Sequence, residues 1–392
     1  MMNREEAKQY ALELWEEQED AFREDDVRCA EIDECCMTYG DVKMRYGISV
    51  IGPVPADGYP VYIALHGGGK DPGGRMNEQQ WNHMAVYYKD SVESGIYINP
   101  RGIRDTWDTH ANPESYPLYD RLLENLAVFY GADLNRVYLM GFSAGGDGVY
   151  LVGTRMADRF AALHMSARHP KEGTLVDLEH TPIQLQVGMN DFAYGRNQVT
   201  VEYEHYLDQL QRQDPDGYLH NVYVHVDKPH NFRDNAHEPQ LVLTDNTVWL
   251  AGGQVTRRSV DSNAVHFLEQ FERNPLPQRV IWELDGRDRA CLRACESFYW
   301  LRAPKEFTEG KVIALLCLEE NSVVIERDDT NGNLQILLRD EMLDLDWPVT
   351  IVYPDQSQKI LNCMRSEQVM RETLKERGDK SYIFSCIIDA RK

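Results

Sequence analysis

The chain has 392 residues, enough for two or three domains, and its 42% hydrophobic and 10% aromatic content supports a sizeable core, which excludes wholesale disorder. With 41 basic against 64 acidic residues the formal net charge is −23. Such a surface repels phosphate backbones and anionic headgroups, so neither nucleic acid nor membrane is expected as a partner. The longest apolar run, 312–318, is far short of a bilayer span.

The first twenty residues, MMNREEAKQYALELWEEQED, lack the basic-then-apolar pattern of a secretory leader, and a cytoplasmic protein is expected. Residues 4–24 set Ala11, Leu14, Trp15 and Phe22 near helical spacing with acids opposite, predicting an amphipathic helix. Residues 1–36 hold 13 acids against 4 bases and read as an acidic helical segment, either a solvated face or a docking surface. The eight cysteines, Cys29, Cys35, Cys36, Cys291, Cys295, Cys317, Cys363 and Cys386, show no paired Cys-x-x-Cys spacing. They are expected as free thiols, with no metal site.

From residue 37 short β-rich runs alternate with helix-length segments. Runs 61–65 (VYIAL), 95–99 (GIYIN), 136–140 (RVYLM), 183–187 (IQLQV) and 221–226 (NVYVHV) read as strands; 119–130, 199–213 and 261–272 read as helices. This rhythm predicts an α/β fold with a mostly parallel sheet covered on both faces, whose ligands bind at the carboxyl ends of the strands. The two prolines of 273–277 read as a linker. Beyond it, 280–284, 298–302, 311–318, 322–326, 333–338, 349–353 and 382–389 are strand candidates with one helix at 366–377. The expected division is therefore an N-terminal segment 1–36, an α/β domain 37–273 and a mostly-β C-terminal module 275–392, through which a homo-oligomer could form.

Chemistry concentrates in two motifs. Gly141-Phe142-Ser143-Ala144-Gly145 follows a β-rich run and precedes a helix-compatible one, the strand-to-helix elbow that lifts a serine hydroxyl above a sheet edge. Upstream, a strand candidate ends in His66-Gly67-Gly68-Gly69, where an oxyanion loop belongs; Gly68 and Gly69, with Ala144, are the candidate backbone donors. A serine needs a base and the base an orienting acid, in the chain order serine, acid, histidine. Asp191 follows the strand candidate 183–187 and His230 follows 221–226, each in a loop at a strand end. His237 is the competing base, and Asp227 and Asp234 are the competing acids; His164, His169 and His180 precede the acid, and His220 and His225 belong to the strand region.

These pieces, together with Asn77-Glu-Gln-Gln-Trp81, Asn99-Pro-Arg-Gly102, Gly188-x-x-Asp191 and Pro229-His230, resemble α/β-hydrolase fold serine esterases, in particular the branch of polyhydroxybutyrate depolymerases, feruloyl esterases and dienelactone hydrolases. The resemblance spans about 45–272 and implies a three-layer α/β sandwich, a Ser143, Asp191, His230 triad and no cofactor. It implies a small-molecule ester substrate of aromatic, sugar or hydroxy-acid type. A serine peptidase of the prolyl oligopeptidase kind would use the same constellation, and a non-catalytic binding or scaffold protein on the same fold is the reading from a different class. By position, His66, Asn77, Trp81, Arg101 and Trp107 are candidates for the substrate side. Arg101 could clamp a substrate carboxylate or serve a structural ion pair. Asp147 reads as a support of the helix after the elbow, and the polar stretch 234–260 as a candidate lid.

Overall fold

Strands buried on both faces read as continuous apolar runs, and those runs become the centre of a large sheet. The computed structural model describes residues 2–168, 174–285 and 296–391; Cys291, Cys295 and His169 lie outside them. Two compact units result. One comprises Met1–Ala30, Tyr119–Phe129 and Asn274–Lys392, the other Glu31–Leu118 and Tyr130–Arg273. Of the segment expected over 1–36, Met1–Ala30 clusters with Asn274–Lys392 and the rest with the other unit.

In chain order the elements up to the second prolines are α1 (Arg4–Arg23), α2 (Asp26–Asp33), β1 (Cys36–Tyr39), β2 (Val42–Ile51), β3 (Tyr59–Leu65), α3 (Arg75–Tyr87), β4 (Gly95–Pro100), α4 (Ser115–Tyr130) and β5 (Ala132–Phe142). There follow α5 (Ala144–Arg155), β6 (Ala162–Ser166), β7 (Ile183–Gly188), α6 (Arg196–Gln213), β8 (His220–His225), β9 (Gln240–Leu243), α7 (Asn246–Leu250), β10 (Arg257–Val260) and α8 (Ala264–Leu268). The strands form one sheet of order β1-β2-β4-β3-β5-β6-β7-β8-β9-β10. From β4 to β8 every pairing is parallel, whereas β1, β2, β9 and β10 join antiparallel. This is the α/β-hydrolase sheet. Tyr62 and Ala64 of β3 face one layer, packing with Met84 of α3 and Val265 and Leu268 of α8. On the other face α5 comes close enough that a Cβ on Gly153 would stand 2.7 Å from the Leu163 Cδ1, so a larger residue there would force that side chain to shift.

Three expectations change. The helix expected over 261–272 is α8 alone, capped by Asn263, whose side chain accepts from Val265 N–H at 3.0 Å. The stretch 234–260, a lid candidate, instead supplies β9, α7 and β10 and lengthens the sheet. Strands β1, β2 and β6 were not among the expected ones.

The other unit continues with β11 (Arg279–Asp285), β12 (Ser297–Phe298), β13 (Leu301–Arg302), β14 (Glu309–Cys317), β15 (Ser322–Asp328), β16 (Gln335–Leu338), β17 (Val349–Val352), β18 (Gln358–Leu361), α9 (Glu367–Arg377) and β19 (Cys386–Asp389). They make a five-stranded sheet, β11-β14-β15-β17-β18, and a four-stranded one, β12-β13-β16-β19. The single strand expected at 298–302 is broken into β12 and β13 by Tyr299, whose φ of 51° turns the chain. Within this unit α1 starts on a capping box: Asn3 Oδ1 accepts from Glu6 N–H at 3.0 Å, and the Glu6 carboxylate accepts from Asn3 N–H at 2.8 Å. Its Leu14 then packs against Met370 and Leu374 of α9 and against Ile383.

Candidate active site

Strand β5 delivers Ser143 to the sheet edge with φ 58° and ψ −120°, a conformation that costs on the order of 1–3 kcal/mol for a non-glycine residue. The surroundings hold it there. Ser143 N–H donates to Ser166 O at 2.9 Å and Asp147 N–H to Ser143 O at 3.0 Å. A Cβ on Gly145 would lie 2.0 Å from Leu65 O, so the turn admits only glycine at that position.

The three residues singled out for acyl-transfer chemistry meet. His230 Nε2 lies 3.1 Å from Ser143 Oγ, and His230 Nδ1 lies 2.6 Å from Asp191 Oδ2. Asp191 is 2% exposed, so its hydrogen bond to the ring is made away from bulk water, which makes it strong and directional. Its second oxygen, Oδ1, accepts from Arg196 Nη1 at 3.3 Å. Arg196 had no sequence signal: it follows Asp191 by five residues in a stretch without a motif. The competitors sit elsewhere. Asp227 is exposed and 3.8 Å from Arg257, and His237 lines a cleft beside the site.

Asp234 is fully buried in a second polar cluster. Its carboxylate accepts from Tyr87 OH at 2.9 Å and Tyr88 OH at 2.7 Å and lies 2.9 Å from His164 Nε2, which is itself 3.0 Å from Ser166 Oγ. Burial alone would raise this carboxyl, but the hydrogen bonds from His164, Ser166 and Tyr88 and the His164 charge hold it below the usual carboxylate range. Asp234 thereby fixes the loop that carries His230 four residues earlier, with Phe232 stacked on His225 at 4.6 Å. Burial drops the His225 imidazole to about 4, so it serves as a neutral ring bonded to Gln186 Oε1 at 2.7 Å.

The oxyanion loop needs one correction. Gly69 N–H donates to Asn77 Oδ1 at 2.9 Å, and Asn77 Nδ2 donates back to Gly69 O at 2.8 Å and to Asp105 Oδ1 at 2.7 Å. With its N–H engaged, Gly69 is not a free donor. Gly68 and Ala144 keep N–H groups that have no protein partner among the described residues. The loop lies against the serine, since a Cβ on Gly67 would stand 3.6 Å from Ser143 Cβ.

Four of the five substrate-side candidates are absorbed into the scaffold. His66 is fully buried; its Nδ1–H bonds Gly67 O at 2.6 Å, its Nε2 accepts from Gly102 N–H at 3.1 Å, and burial lowers it to about 4. Asn77 is the brace just described. Trp81 donates to Asn99 O at 2.8 Å beneath the Arg45 guanidinium. Arg101 takes the structural alternative, with Glu78 at 3.3 Å, Asp105 at 2.5 Å and Gly102 O at 2.7 Å. Trp107 alone faces solvent, 58% exposed, its ring over Gly69. A cleft of about 660 Å³ opens beside the serine, lined by Gly67, Gln80, His83, Phe142, Asn231 and Arg233 among others.

Among the described residues no group of three or more His, Cys, Asp or Glu side chains is arranged to hold a metal ion, and no helix is long and apolar enough to cross a membrane. The sheet order, the strained serine on the β5–α5 turn and the hydrogen-bonded acid and histidine at successive strand ends make an α/β-hydrolase fold with a nucleophile-elbow turn.

No family model matches the chain. It is 28% identical over 180 residues to a bifunctional acetylxylan esterase/xylanase of Neocallimastix patriciarum, a match covering 44% of this chain and 26% of that protein, so the chain spans about a quarter of its curated relative's length. Among solved structures it is similar to a thermostable esterase, with TM-score 0.41, 17% identity and coverage of 62% of this chain and 64% of that one. It is also similar to LpqC, a poly(3-hydroxybutyrate) depolymerase of Bordetella parapertussis, with TM-score 0.41, 16% identity and coverage of 62% and 100%.

Proposed function

We propose that the chain is a carboxylic ester hydrolase that works through an acyl-enzyme on Ser143. The observation that carries the reading is the unbroken hydrogen-bond chain from Ser143 Oγ through His230 to the buried Asp191. His230 Nε2 takes the hydroxyl proton as Oγ attacks the ester carbonyl, and Asp191 stabilises the imidazolium without itself being protonated. The carbonyl oxygen becomes an oxyanion facing the Gly68 and Ala144 N–H groups. His230 then gives its proton to the departing alkoxide. In the second half a water molecule loses its proton to His230 and attacks the acyl carbon, releasing the acid and restoring Ser143. The histidine side chain is 34% exposed, which leaves this water a route to it. Similarity to a protein named for acetylxylan esterase activity, and the polar cleft beside the serine, support a small sugar, aromatic or hydroxy-acid ester as substrate.

The test is turnover of short 4-nitrophenyl and feruloyl esters by the full chain and by Ser143→Ala. The reading expects hydrolysis that falls to the uncatalysed background in the variant; hydrolysis of equal rate in both would end it.

A further inference from the structure

Seven arginines are buried among the described residues: Arg28, Arg101, Arg159, Arg168, Arg273, Arg302 and Arg377. Six have polar partners. Arg168 is the exception. It is 1% exposed, and its Nε, Nη1 and Nη2 all lack a hydrogen-bond partner among the described residues. Its guanidinium is instead held between two rings, 4.4 Å from the Tyr150 centroid and 3.9 Å from that of Tyr203. Aromatic faces offset part of the cost of burying the charge but accept none of its five N–H bonds. A buried cation without an acceptor is among the most costly arrangements a protein can keep, and is retained where something supplies the missing anion.

Its place in the fold says what that anion accompanies. Strand β6 ends at Ser166, whose carbonyl accepts the Ser143 N–H at 2.9 Å. The next residue, Ala167, has φ 49°, a left-handed turn in a residue with a side chain. The turn brings Arg168 Cβ to 3.3 Å from where a Cβ on Gly146 would be, against the first turn of α5 and three residues past Ser143. Tyr150 lies one helical turn further along α5. Arg168 thus leaves the sheet beside the elbow and carries its guanidinium one helical turn along α5, to Tyr150 and Tyr203, within the unit that carries the triad.

We infer that Arg168, clamped between Tyr150 and Tyr203, binds a carboxylate of the substrate, so that the ester cleaved at Ser143 is an acidic one. This takes over the clamp role first considered for Arg101, whose nitrogens are already occupied. The planar fork suits a carboxylate, which can take two parallel N–H bonds. The inference rests on the acyl-transfer reading above.

The test compares matched esters on the full chain: the mono-4-nitrophenyl ester of adipate against 4-nitrophenyl hexanoate places a carboxylate on the acyl side, and 4-acetoxybenzoate against phenyl acetate places it on the leaving group. In Arg168→Met the kcat/KM ratio of anionic to neutral ester is expected to fall about 10- to 100-fold in one of the pairs, the worth of a charge-assisted contact. That pair identifies the side on which the carboxylate sits. Labelling of Ser143 by a neutral fluorophosphonate should persist in the variant. Unchanged ratios in both pairs with labelling intact would overturn the inference and leave Arg168 a structural residue. Should Arg168→Met not fold, Arg168→Lys keeps the charge and removes the fork, and a smaller fall of about 10-fold is expected; an unchanged ratio there overturns the inference equally. If wild type neither labels nor turns over, the acyl-transfer reading has failed. The site is then read by thermal stabilisation with adipate: stabilisation lost in Arg168→Met supports it, and none in wild type refutes it.

Discussion

The two units differ in how their most buried cations are met. In the unit built from the mostly antiparallel sheets, two buried arginines reach carboxylates: Arg28 meets Glu124 at 2.6 Å and Asn125 at 2.5 Å, and Arg302 meets Glu372 at 2.8 Å as well as Glu376. In the unit built on the parallel sheet, buried polar groups gather where the strands end, and several keep an unused valence. Among the described residues, Gly68 and Ala144 hold N–H groups without protein partners, and Arg168 holds a whole guanidinium. Closed pairs of this kind brace the fold, whereas on the proposed reading the unused donors near Ser143 face the ligand.

Breaking the site side of this contrast should have the largest effect. Asp191→Asn keeps the shape but removes the charge that orients His230, and kcat is expected to drop about 10³- to 10⁴-fold, measured as ester turnover by folded protein. A drop of less than tenfold would mean that Asp191 does not orient the base. On the scaffold side, Arg302→Ala removes one member of a buried pair and strands Glu376. A loss of about 3 kcal/mol in denaturant-unfolding stability is expected, with the chemistry at Ser143 unchanged once folded; a loss below 0.5 kcal/mol would show the pair to be solvated and idle.

Asn77→Ala lies between these cases. It frees the Gly69 N–H and unties the loop from Asp105, and a fall in kcat of about 10- to 100-fold with little change in KM would mark it as a positioning residue for the oxyanion loop. A pure KM effect would place it on the substrate instead.

The smallest effect is a pH dependence. Glu204 on α6 is pushed up to about 7, chiefly by burial, with the Asn246 amide opposing and Asp208 and Asp245 reinforcing. Its folded pKa exceeds the unfolded one, so the native state binds the extra proton. The stability this contributes is complete below about pH 4 and is lost as the pH rises through 7. Glu204→Gln should flatten the stability profile between pH 5 and 8 by about 1–2 kcal/mol after allowance for partial exposure. A variant whose profile parallels that of wild type would contradict the assignment.

The same contrast explains what could be read from the sequence. β3, β4, β5, β7 and β8 were legible because apolar runs are what a doubly covered parallel strand requires. β6, with His164 and Ser166 in five residues, hides its apolar face behind the polar cluster it serves. β10 is an exposed edge strand whose polarity reads as loop, and β9, between it and β8, is only four residues long. At the site, Ser143, Asp191 and His230 announced themselves because strained turns and strand ends impose local residue patterns. Asn77, Arg196, Asp234 and Arg168 act through partners that the fold alone brings near, from Asp105 to Tyr203, and no local spacing records them. The grouping of Met1–Ala30 with 274–392 was hidden for the same reason: Leu14 finds Met370 only in three dimensions.

On the proposed mechanism His230 and Asp191 activate Ser143 and no other residue. Reacting the folded chain with a fluorophosphonate and locating the adduct by peptide mass spectrometry, for wild type and for His230→Ala, reads this activation at the nucleophile itself. A single adduct is expected on the peptide carrying Ser143, lost or slowed at least about a thousandfold in the variant. No adduct on folded wild type, an adduct on another residue, or labelling indifferent to His230 would contradict it.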